Sequence, residues 1–439
     1  MKNVNLIKII EKFNQKRATV GIFGLGYVGI PLLINFSKKN FRTIGFDIDI
    51  EKIKKLSKGI SPIKHIQDKH IKEIEKFQVE FTTNLKKTSS LDAIIVCLPT
   101  PLDSFKIPDL SLIKNLLRDI GPYIKRNAII SIESTVYPGA CEELVNPIIK
   151  NKNFILGKDI FLTHSPERED PGNKHFDVSS TPKVFGCNTK NCALIAESLY
   201  RNVVSKLVKV SSIKTAELTK LTENIYRAVN IGLVNELKII AYNLGVDIHE
   251  VIKAASTKPF GFNAFYPGPG LGGHCIPVDP LYLTHKIKEL DLTSNFIEHA
   301  AQINANMPFW IMSELSKFLN KHKTNFNSLK VIVFGVAYKK NIDDVRESPA
   351  IKIIELLLNE KANVSYHDPY VRSISVTHKN KNKKITSEMF NLKNIKKFDL
   401  ALIVTDHDGV DYQAIKNAIP LIADSRNVYK RKSKNILKI

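Results

Sequence analysis

Residues 18–47 read ATVGIFGLGYVGIPLLINFSKKNFRTIGFD, and this stretch decides the fold. The apolar run 18–23 predicts a buried strand, and the apolar positions of 30–36 recur with the period of a helix. Between them, residues 24–29 read Gly-Leu-Gly-Tyr-Val-Gly, which predicts a tight turn into that helix. A second apolar run at 43–46 predicts the next strand. The stretch therefore predicts a strand, helix and strand that belong to one parallel sheet.

The glycines and the acid that follows the second strand suggest what this unit binds. Gly24, Gly26 and Gly29 permit the tight turn and the close approach of a pyrophosphate, whose charge the helix N-terminus stabilises. Asp47 comes 23 residues after Gly24, near the spacing of about 20 expected for an acid that accepts from ribose hydroxyls. Because its carboxylate would repel a 2′-phosphate, we expect NAD rather than NADP. The alternative for Asp47 is a solvated acid at a strand end.

Strands and helices alternate in two sets along the chain. The first set continues with strands predicted at 93–98, 128–132 and 161–163. The second set lacks the glycine motif and has strands predicted at 329–335, 363–366, 400–404 and 420–423. A proline-free helical pattern, 212–244, lies between the sets. The sequence predicts an α/β fold of two Rossmann-like, doubly wound parallel-sheet domains joined by a long central helix.

Composition sets limits on partners and compartment. Five cysteines without paired spacing favour reduced thiols and a cytoplasmic protein over a disulfide framework or a zinc site. No apolar run reaches membrane-spanning length, so no membrane partner is expected. The net charge of +22 is spread along the chain, which favours a small anionic substrate over nucleic acid. Asp343 and Asp344 have no third candidate ligand nearby, so we expect solvated turn carboxylates and no metal.

A second unusual stretch, 268–280, reads Gly-Pro-Gly-Leu-Gly-Gly-His-Cys-Ile-Pro-Val-Asp-Pro. Its glycines and prolines exclude helix and strand and predict a shaped loop that a ligand can approach closely. Cys275 is a candidate nucleophile and Asp279 a candidate for handling protons or water. The alternative is a rigid turn around a buried, inert cysteine. On the long helix, Lys220 and Asn224 share a face and are candidates for a buried polar pair, with a solvated stripe as the alternative.

Two threonines follow strands of the first set. Thr100 follows 93–98, and Thr135 follows 128–132. Ligands in doubly wound sheets bind beyond the carboxyl ends of strands, so both are candidate cofactor contacts. Ordinary loop capping is the alternative for each. The other four cysteines of the chain, unlike Cys275, are expected to be structural.

The chain resembles the UDP-glucose/GDP-mannose dehydrogenase family over nearly its whole length. Six motifs in the family's order carry this resemblance: 24–31, 134–139, 165–168, 217–224, 270–279 and 335–348. Segments 165–172, 258–262 and 273–277 are most similar to the bacterial UDP-N-acetylhexosamine 6-dehydrogenases, above all those acting on UDP-N-acetylglucosamine. The resemblance implies a four-electron oxidation of a sugar C6 alcohol to a carboxylate with two NAD, for surface polysaccharide biosynthesis.

The resemblance also implies catalytic roles. The implied catalytic residues are Cys275, Lys220, Asn224, Asp279, Glu167 and Thr135. Cys275 would capture the aldehyde as a thiohemiacetal, which is oxidised to a thioester and hydrolysed. Lys220 and Asn224 would bind the oxyanion, and the remaining three would position or activate water. His274, next to the nucleophile, is expected to point away from it.

Binding residues follow from the same resemblance. The implied cofactor contacts are Gly24, Gly26, Tyr27, Val28, Gly29, Asp47, Lys52, Thr100, Thr135 and Arg346. The implied substrate contacts are Glu167, Arg168, Lys220, Asn224, Lys258, Tyr266, Gly270, Gly272, Tyr338, Lys339 and Arg426. Arg346 is expected to act across a subunit boundary. Lys258 is proposed as a substrate contact for one reason only. It lies near the position where the family member that uses UDP-glucose has an arginine that contacts the substrate.

We divide the chain into three domains on this basis. Residues 1–208 would form an NAD-binding Rossmann domain with a short N-terminal helix, and 209–318 a central helical dimerisation region with the catalytic loop. Residues 319–439 would form a Rossmann-like UDP-sugar-binding domain, whose tail, 430–439, is expected to be frayed or surface-bound. A homodimer or higher homo-oligomer is expected.

Alternatives remain for the sugar and for the class of protein. The sugar could instead be N-acetylgalactosamine, N-acetylmannosamine or glucose, because these motifs do not determine the configuration at C4 or C2. The chain could also be a non-catalytic sensor of NAD or of a nucleotide sugar on the same fold. Nucleic-acid binding through the net charge is a third alternative.

Overall fold

The computed structural model describes residues 4–63, 66–103, 105–168, 180–273, 276–431 and 433–439. These residues form two compact units. The first unit comprises Met1–Glu223 and Leu281–Asp291, and the second comprises Asn224–Pro280 and Leu292–Ile439. Each unit contains its own sheet and core. The predicted boundaries at 208 and 318 stay a prediction.

The described part of the first unit contains an eight-stranded sheet. Its strands are β1 Thr19–Phe23, β2 Arg42–Phe46, β3 Val79–Thr82, β4 Ala93–Val96, β5 Ile129–Ile132, β6 Phe161–His164, β7 Lys183–Gly186 and β8 Leu207–Val210. Their spatial order is β3-β2-β1-β4-β5-β6-β7-β8. Among these strands the paired neighbours are parallel except β6 and β7, which are antiparallel. The strand order reverses at β1 and β4, as in a doubly wound sheet.

Helices cover this sheet and seal its core. They are α1 Val4–Asn14, α2 Gly29–Lys38, α3 Ile50–Leu56, α4 Asp68–Ile74, α5 Ser111–Ile120, α6 Ala140–Asn151 and α7 Lys190–Tyr200. Every residue of β1, β4, β5 and β6 is buried, as expected for strands covered on both faces. Leu6, Ile9 and Ile10 of α1 pack against the same core. The long helix α8, Ile213–Asn243, begins in the first unit and continues in the second.

The second unit has a smaller sheet. Its remaining helices are α9 Ile248–Ala255, α10 Asp279–Ile287 (which continues into the first unit), α11 Asn295–Lys321, α12 Pro349–Asn359, α13 Leu392–Ile395 and α14 Tyr412–Ala418. Its strands are β9 Lys330–Phe334, β10 Asn363–His367, β11 Ser373–His378, β12 Lys381–Thr386, β13 Leu400–Ile403, β14 Leu421–Asp424 and β15 Ile436–Lys438. The described strands pair in parallel in the order β10-β9-β13-β14-β15, and β11 and β12 form a separate antiparallel hairpin. The predicted fold class is confirmed.

The prediction of a frayed or surface-bound tail, 430–439, was wrong for residues 436–439, whereas Lys430, Arg431, Ser433 and Lys434 are exposed. β15 adds an edge strand to the second sheet, with Ile422 opposite Ile436. Ile436 and Ile439 are buried, and the Ile439 amide donates to the Asp424 carbonyl at 3.0 Å. Three paired residues are too few for strand alternation to show in the sequence. Among the described residues, none of the helices combines the length and hydropathy that a membrane crossing requires.

The three glycines of the first turn meet different structural requirements. Gly24 has φ +94°, a conformation that favours glycine. A Cβ on Gly29, the first residue of α2, would lie 1.9 Å from the Gly24 carbonyl oxygen. A Cβ on Gly26 would meet no atom within 4 Å. Gly29 is therefore required for close packing of strand against helix, whereas Gly26 faces open space.

Gly29→Ala should lower the free energy of unfolding by about 1–3 kcal/mol or more, because the new methyl group overlaps a backbone oxygen that cannot move independently. Denaturant unfolding followed by circular dichroism measures this loss. Gly26→Ala is the matched control and should change the same free energy by no more than about 0.5 kcal/mol. Equal losses in the two variants would contradict this explanation of the turn.

Candidate functional site

Asp47 lies against the glycine turn at the carboxyl end of β2. Its Oδ2 accepts from the Leu25 amide at 2.9 Å and from Lys52 Nζ at 2.7 Å, and its Oδ1 accepts from the Asp49 amide at 3.0 Å. Burial opposes the charge, but the bonds from Lys52 and the two amides outweigh it and lower the pKa of Asp47. Only 9% of its side chain is exposed, so the alternative of a solvated acid is wrong. The carboxylate of Asp47 is therefore held in place beside the glycine turn, where the ribose of a dinucleotide would need a hydrogen-bond acceptor.

The residues of this turn fit a dinucleotide. The open space at Gly26 leaves room for a pyrophosphate beside the backbone. Val28 precedes α2 and its side chain makes no cap hydrogen bond, so the N-terminus of α2, whose dipole favours an anion, carries no side-chain cap. Asp47 supplies the acceptor for ribose hydroxyls. The protein therefore offers space for the pyrophosphate, a helix N-terminus for its charge and an acceptor for the ribose. Each contact with the cofactor stays a prediction.

The two candidate threonines lie in loops that other residues hold. Thr100 is buried, and its carbonyl oxygen accepts from the Tyr282 hydroxyl at 2.9 Å. Thr135 is half-buried in the loop between β5 and α6. Glu217 of α8 fixes the end of that loop, accepting from the Gly139 amide at 2.6 Å and from the Cys141 amide at 2.9 Å. Glu217 is fully buried, and burial raises its pKa.

Behind β5, a buried ionic network includes residues that the sequence analysis missed. Lys183 Nζ lies 2.6 Å from Glu133 Oε2 and 3.8 Å from Glu167 Oε2, and Tyr200 donates its hydroxyl proton to Glu133. Burial opposes the charge of Lys183, but Glu133 and Glu167 outweigh it and raise its pKa. Glu167, expected to position water, therefore lies beside a buried ammonium. A lysine in the otherwise apolar segment Lys183–Gly186 was the available signal.

Arg168 contacts Glu223, within the part of α8 that belongs to the first unit. Its Nη2 lies 2.7 Å from Glu223 Oε1, its Nε donates to Glu223 Oε2 at 3.2 Å, and its Nη1 donates to the Pro182 carbonyl at 2.7 Å. The paired geometry fixes the guanidinium orientation. These contacts support a positioning role within the first unit. The substrate contact expected of Arg168 stays a prediction.

In the second unit, a chain of buried amides anchors the start of the glycine-rich loop. The Gly268 amide donates to Asn235 Oδ1 at 2.9 Å, and Asn235 Nδ2 donates to Asn304 Oδ1 at 2.8 Å. Asn304 Nδ2 donates in turn to the Ala228 carbonyl at 3.1 Å. Asn235 is fully buried and Asn304 nearly so. The loop therefore begins at a point fixed to both α8 and α11.

The far end of the loop is fixed by a second buried pair. Asn224 donates its side-chain amide to the carboxylate of Asp279, and both side chains are buried. The prediction that Asn224 pairs with Lys220 was wrong, because Lys220 is half-buried and the amide bonds Asp279 instead. His274 and Cys275 lie outside the described residues. The candidate nucleophile is thus bracketed in sequence by two anchored positions.

The loop also packs tightly on the turn after β9. A Cβ on Gly272 would lie 2.5 Å from Tyr338 Cβ, and one on Gly273 would lie 2.9 Å from the Tyr338 ring. The Gly273 amide donates to the Arg346 carbonyl at 2.9 Å. Gly270, with φ +135°, lies against Pro349. These glycines are needed because the protein's own side chains pack against them. The sequence had suggested instead that they let a ligand approach the backbone.

Other predicted contacts lie at the surface or in ion pairs. Lys258 and Tyr266 are exposed, with the Lys258 ammonium 5.1 Å from the Phe260 ring. Arg346 pairs with Asp344, with Nη2 2.6 Å from Oδ2, so the prediction that Asp344 is a solvated carboxylate was wrong. Arg426 is held by its Nε, which donates to the Val404 carbonyl at 2.7 Å. The roles of these residues toward ligands, with those of Tyr338 and Lys339, stay predictions.

The cysteines outside the loop are buried thiols. Cys97, Cys141, Cys187 and Cys192 have no disulfide partner among the described residues. Burial raises the pKa of each, to about 12 for Cys187. A raised pKa disfavours the reactive thiolate, in line with the structural role expected for them. Within the described ranges, no group of three His, Cys, Asp or Glu side chains is placed to hold a metal ion.

Comparison with known proteins gives matches along most of the chain. Residues 18–204 match the model of the NAD binding domain of the UDP-glucose/GDP-mannose dehydrogenase family. Residues 214–306 match the model of its central domain, and residues 332–431 that of its UDP binding domain.

Individual relatives are similar over most of their length. The UDP-N-acetyl-D-glucosamine 6-dehydrogenase of Pseudomonas aeruginosa is 37% identical over 83% of this chain and 86% of that protein. The UDP-N-acetyl-D-mannosamine dehydrogenase of Pyrococcus horikoshii is 32% identical over 94% of this chain and 96% of that protein. A solved structure of UDP-D-ManNAc dehydrogenase from P. horikoshii has a TM-score of 0.85 at 31% identity, covering 94% of this chain and 96% of that chain.

Asn235→Ala should lower the free energy of unfolding by about 1–3 kcal/mol, because it leaves the Gly268 amide and Asn304 without their buried partner. Urea unfolding measures the loss, and hydrogen exchange at 268–273 should rise with it. Asn243→Ala is the matched control, since Asn243 is exposed on the same helix and donates to the carbonyl one turn before it. Unchanged exchange at 268–273 in Asn235→Ala would contradict the anchoring role.

Proposed function

This chain belongs to the UDP-glucose/GDP-mannose dehydrogenase family, and from that premise we propose that it oxidises C6 of UDP-N-acetyl-D-glucosamine to UDP-N-acetyl-D-glucosaminuronate. The family predicted from the sequence is confirmed, and NAD is confirmed as the cofactor. The chain is an NAD-dependent nucleotide-sugar dehydrogenase with a UDP-binding domain. What we propose beyond this is the sugar, the four-electron course of the reaction and the role of each residue.

One observation carries the proposed sugar: the 37% identity to a UDP-N-acetyl-D-glucosamine 6-dehydrogenase. The second candidate is UDP-N-acetyl-D-mannosamine, favoured by the 0.85 TM-score with the P. horikoshii structure. The two sugars differ in configuration at C2, away from the reacting C6. The same catalytic residues therefore serve either substrate, and the sugar must be measured.

Bound NAD would accept a hydride from C6 in each of two oxidations. The chain would hold it by the open turn at Gly26, by the N-terminus of α2 and by the carboxylate of Asp47. Asp47 already accepts from Leu25 and Lys52, so its position is fixed before a ligand arrives. Such preorganisation lowers the entropic cost of binding.

Cys275 provides the covalent step in this proposal. The first oxidation removes a hydride and the hydroxyl proton from C6 and leaves an aldehyde. The Cys275 thiolate adds to the aldehyde carbon, and the carbonyl oxygen takes up a proton to give a thiohemiacetal. After the second oxidation gives a thioester, water attacks the same carbon. The carbon–sulfur bond breaks and releases the carboxylate and the thiol.

The remaining residues stabilise charge and position water. α8 carries Lys220 and Asn224 one turn apart, and we assign the Lys220 ammonium to the oxyanion that forms when sulfur or water adds to C6. Asn224 holds Asp279 through its amide, which fixes the carboxylate that we assign to ordering the hydrolytic water. Glu167 activates that water, with Lys183 beside it setting the orientation of the carboxylate.

The surface of α8 supports the proposed homo-oligomer. Leu233, Leu237, Ile240 and Leu244 recur at helical spacing and are 50%, 40%, 49% and 72% exposed. Four large apolar side chains on one stripe are typical of a helix that packs against a partner. We propose that α8 packs against a second copy of the chain.

A panel of nucleotide sugars tests the substrate. NADH formation should show the highest kcat/KM with UDP-N-acetyl-D-glucosamine, and NMR of the product should show a C6 carboxylate with gluco configuration. A higher kcat/KM with UDP-N-acetyl-D-mannosamine would make that sugar the substrate and would leave the proposed reaction unchanged. NADH formation with none of UDP-glucose, the UDP-N-acetylhexosamines or GDP-mannose would contradict the enzymatic function.

Cys275→Ser should reduce turnover by at least roughly 10³-fold while leaving the Kd for the UDP-sugar within about threefold, because it removes the nucleophile and little volume. Stopped-flow absorbance and equilibrium titration measure these quantities. Cys187→Ala is the control, since Cys187 is a buried thiol whose pKa burial raises, and it should retain turnover. Full steady-state activity of Cys275→Ser would rule out the covalent step.

A further inference from the structure

Lys238 occupies a core position on α8 and forms no ion pair with any of the described residues. The buried residues of this helix in the second unit include Asn224, Ala228, Asn235, Lys238 and Ala241. The two asparagines have buried partners, but no atom of the described residues lies within hydrogen-bonding distance of the Lys238 ammonium. Lys238 is 5% exposed. The Lys238 ammonium lies 5.6 Å from the centroid of the Trp310 ring, a cation–π contact that offsets part of the cost of burial. A buried ammonium without a hydrogen bond or an ion pair is still costly, so an apolar residue would give a more stable protein.

This lysine lines a cavity of about 340 Å³ within the second unit. The polar groups of the lining include Lys238, His249, Lys321, Asn427 and Lys434. Phe318, Ile248, Ile436 and Leu437 supply apolar walls. The volume is at the lower end of small-molecule sites, and apolar walls with a few polar groups are characteristic of them. The lining contains none of the residues predicted to bind the UDP-sugar.

A second group in the lining also lacks a partner. Asn427 Oδ1 is buried and has no hydrogen bond among the described residues. Asn427 has φ +56°, and it follows Arg426 at the end of β14. Its side chain is thus held by an unusual backbone conformation with one polar atom unsatisfied. Two unsatisfied polar groups in one lining require partners, which a bound ligand or water supplies.

The charges around the cavity favour an anion. The nearby acids are already engaged: Asp247 Oδ2 lies 2.7 Å from Lys438 Nζ, and Asp424 accepts from the Arg426 and Tyr429 amides at 2.9 and 2.8 Å. Neither forms an ion pair with Lys238. Lys321 and Lys434 add positive charge at the exposed rim. Four lysines of the lining, Lys238, Lys321, Lys434 and Lys438, outnumber its two aspartates, Asp247 and Asp424, so the lining has an excess of basic groups.

We propose that this cavity is a second ligand site, which binds a small organic anion whose carboxylate or phosphate pairs with Lys238. The apolar walls hold the body of the ligand, and the Asn427 side chain bonds a polar group on it. Lys238 follows Asn235 by one turn of α8, and Asn235 anchors the glycine-rich loop. The site therefore lies one helical turn from a support of the catalytic loop, which suits an effector.

The protonation of Lys238 gives the site a distinctive signature. Burial lowers the pKa of Lys238 to about 7, with Arg426 lowering it further and Asp424 opposing. The other titratable groups of the lining are Tyr242, Asp247, His249, Lys321, His322, Lys434 and Lys438. Burial, with Lys238 beside it, lowers the pKa of His249 to about 4, so that imidazole is neutral at pH 8. An anion that pairs with Lys238 raises the pKa of Lys238. The protein therefore takes up about one proton when the anion binds at pH 8.

Isothermal titration with benzoate, phenyl phosphate and neutral benzamide tests the site in the full-length chain at constant ionic strength. We expect saturable binding of at least one of the two anions and at least tenfold weaker binding of benzamide. Preference between the anions identifies carboxylate or phosphate as the ligand group. Titration at pH 8 in buffers of different ionisation enthalpy should show the proton uptake.

Lys238→Met tests the assigned residue, because methionine keeps most of the length and removes the charge. It should weaken binding of the preferred anion at least tenfold, abolish the proton uptake and raise the Tm of the free protein. The rise in Tm distinguishes loss of the site from misfolding. Lys416→Met, at an exposed lysine of α14, is the matched control and should bind as the wild type does.

Three outcomes would overturn the proposal. One is the absence of saturable binding of both anions to the wild type. Another is anion binding that Lys238→Met leaves unchanged, which would place it elsewhere. The third is a lower Tm of Lys238→Met together with retained binding, which would make Lys238 a structural residue.

Discussion

Asn235 and Asn304 form the buried hydrogen-bond relay that anchors the glycine-rich loop, 268–280. Each amide donates and accepts, so the polar groups are satisfied where water is excluded. The relay also requires α8 and α11 to lie close together, and a Cβ on Gly232 would come 3.0 Å from Ala300. An apolar pair could fill the same volume, but it could not bond the Gly268 amide. The relay therefore fixes a loop whose glycines leave its backbone intrinsically free.

Buried charge is used in the same way in the first unit. Glu217 is fully buried, yet two amides at the start of α6 satisfy its carboxylate and hold the Thr135 loop. Lys183 compensates Glu133 and lies next to Glu167. Paired buried charges contribute little net stability, but they fix orientation, since removing one partner exposes the other to a full desolvation cost. Lys238 departs from this pattern, because its buried ammonium has no hydrogen-bond partner among the described residues.

The fold could be predicted because its signals are local. Gly24–Gly29 between an apolar strand and helix, and the strand–helix alternation, fix a doubly wound sheet within short windows of sequence. The partners of buried polar groups could not be predicted, because Asn235 bonds a residue 69 positions away and Asn224 bonds one 55 positions away. The sequence analysis paired Asn224 with its helical neighbour for that reason. The strand β15 was missed because three residues carry no measurable periodicity.

The central claim is that one cysteine-bearing loop supports two successive oxidations of the same carbon. The most direct measurement is the amount of NADH formed from a limiting amount of UDP-N-acetyl-D-glucosamine, with an aldehyde trap present. The account predicts two NADH per sugar and no trapped aldehyde, because the thiol retains the intermediate. One NADH per sugar with a stoichiometric amount of trapped aldehyde would contradict it.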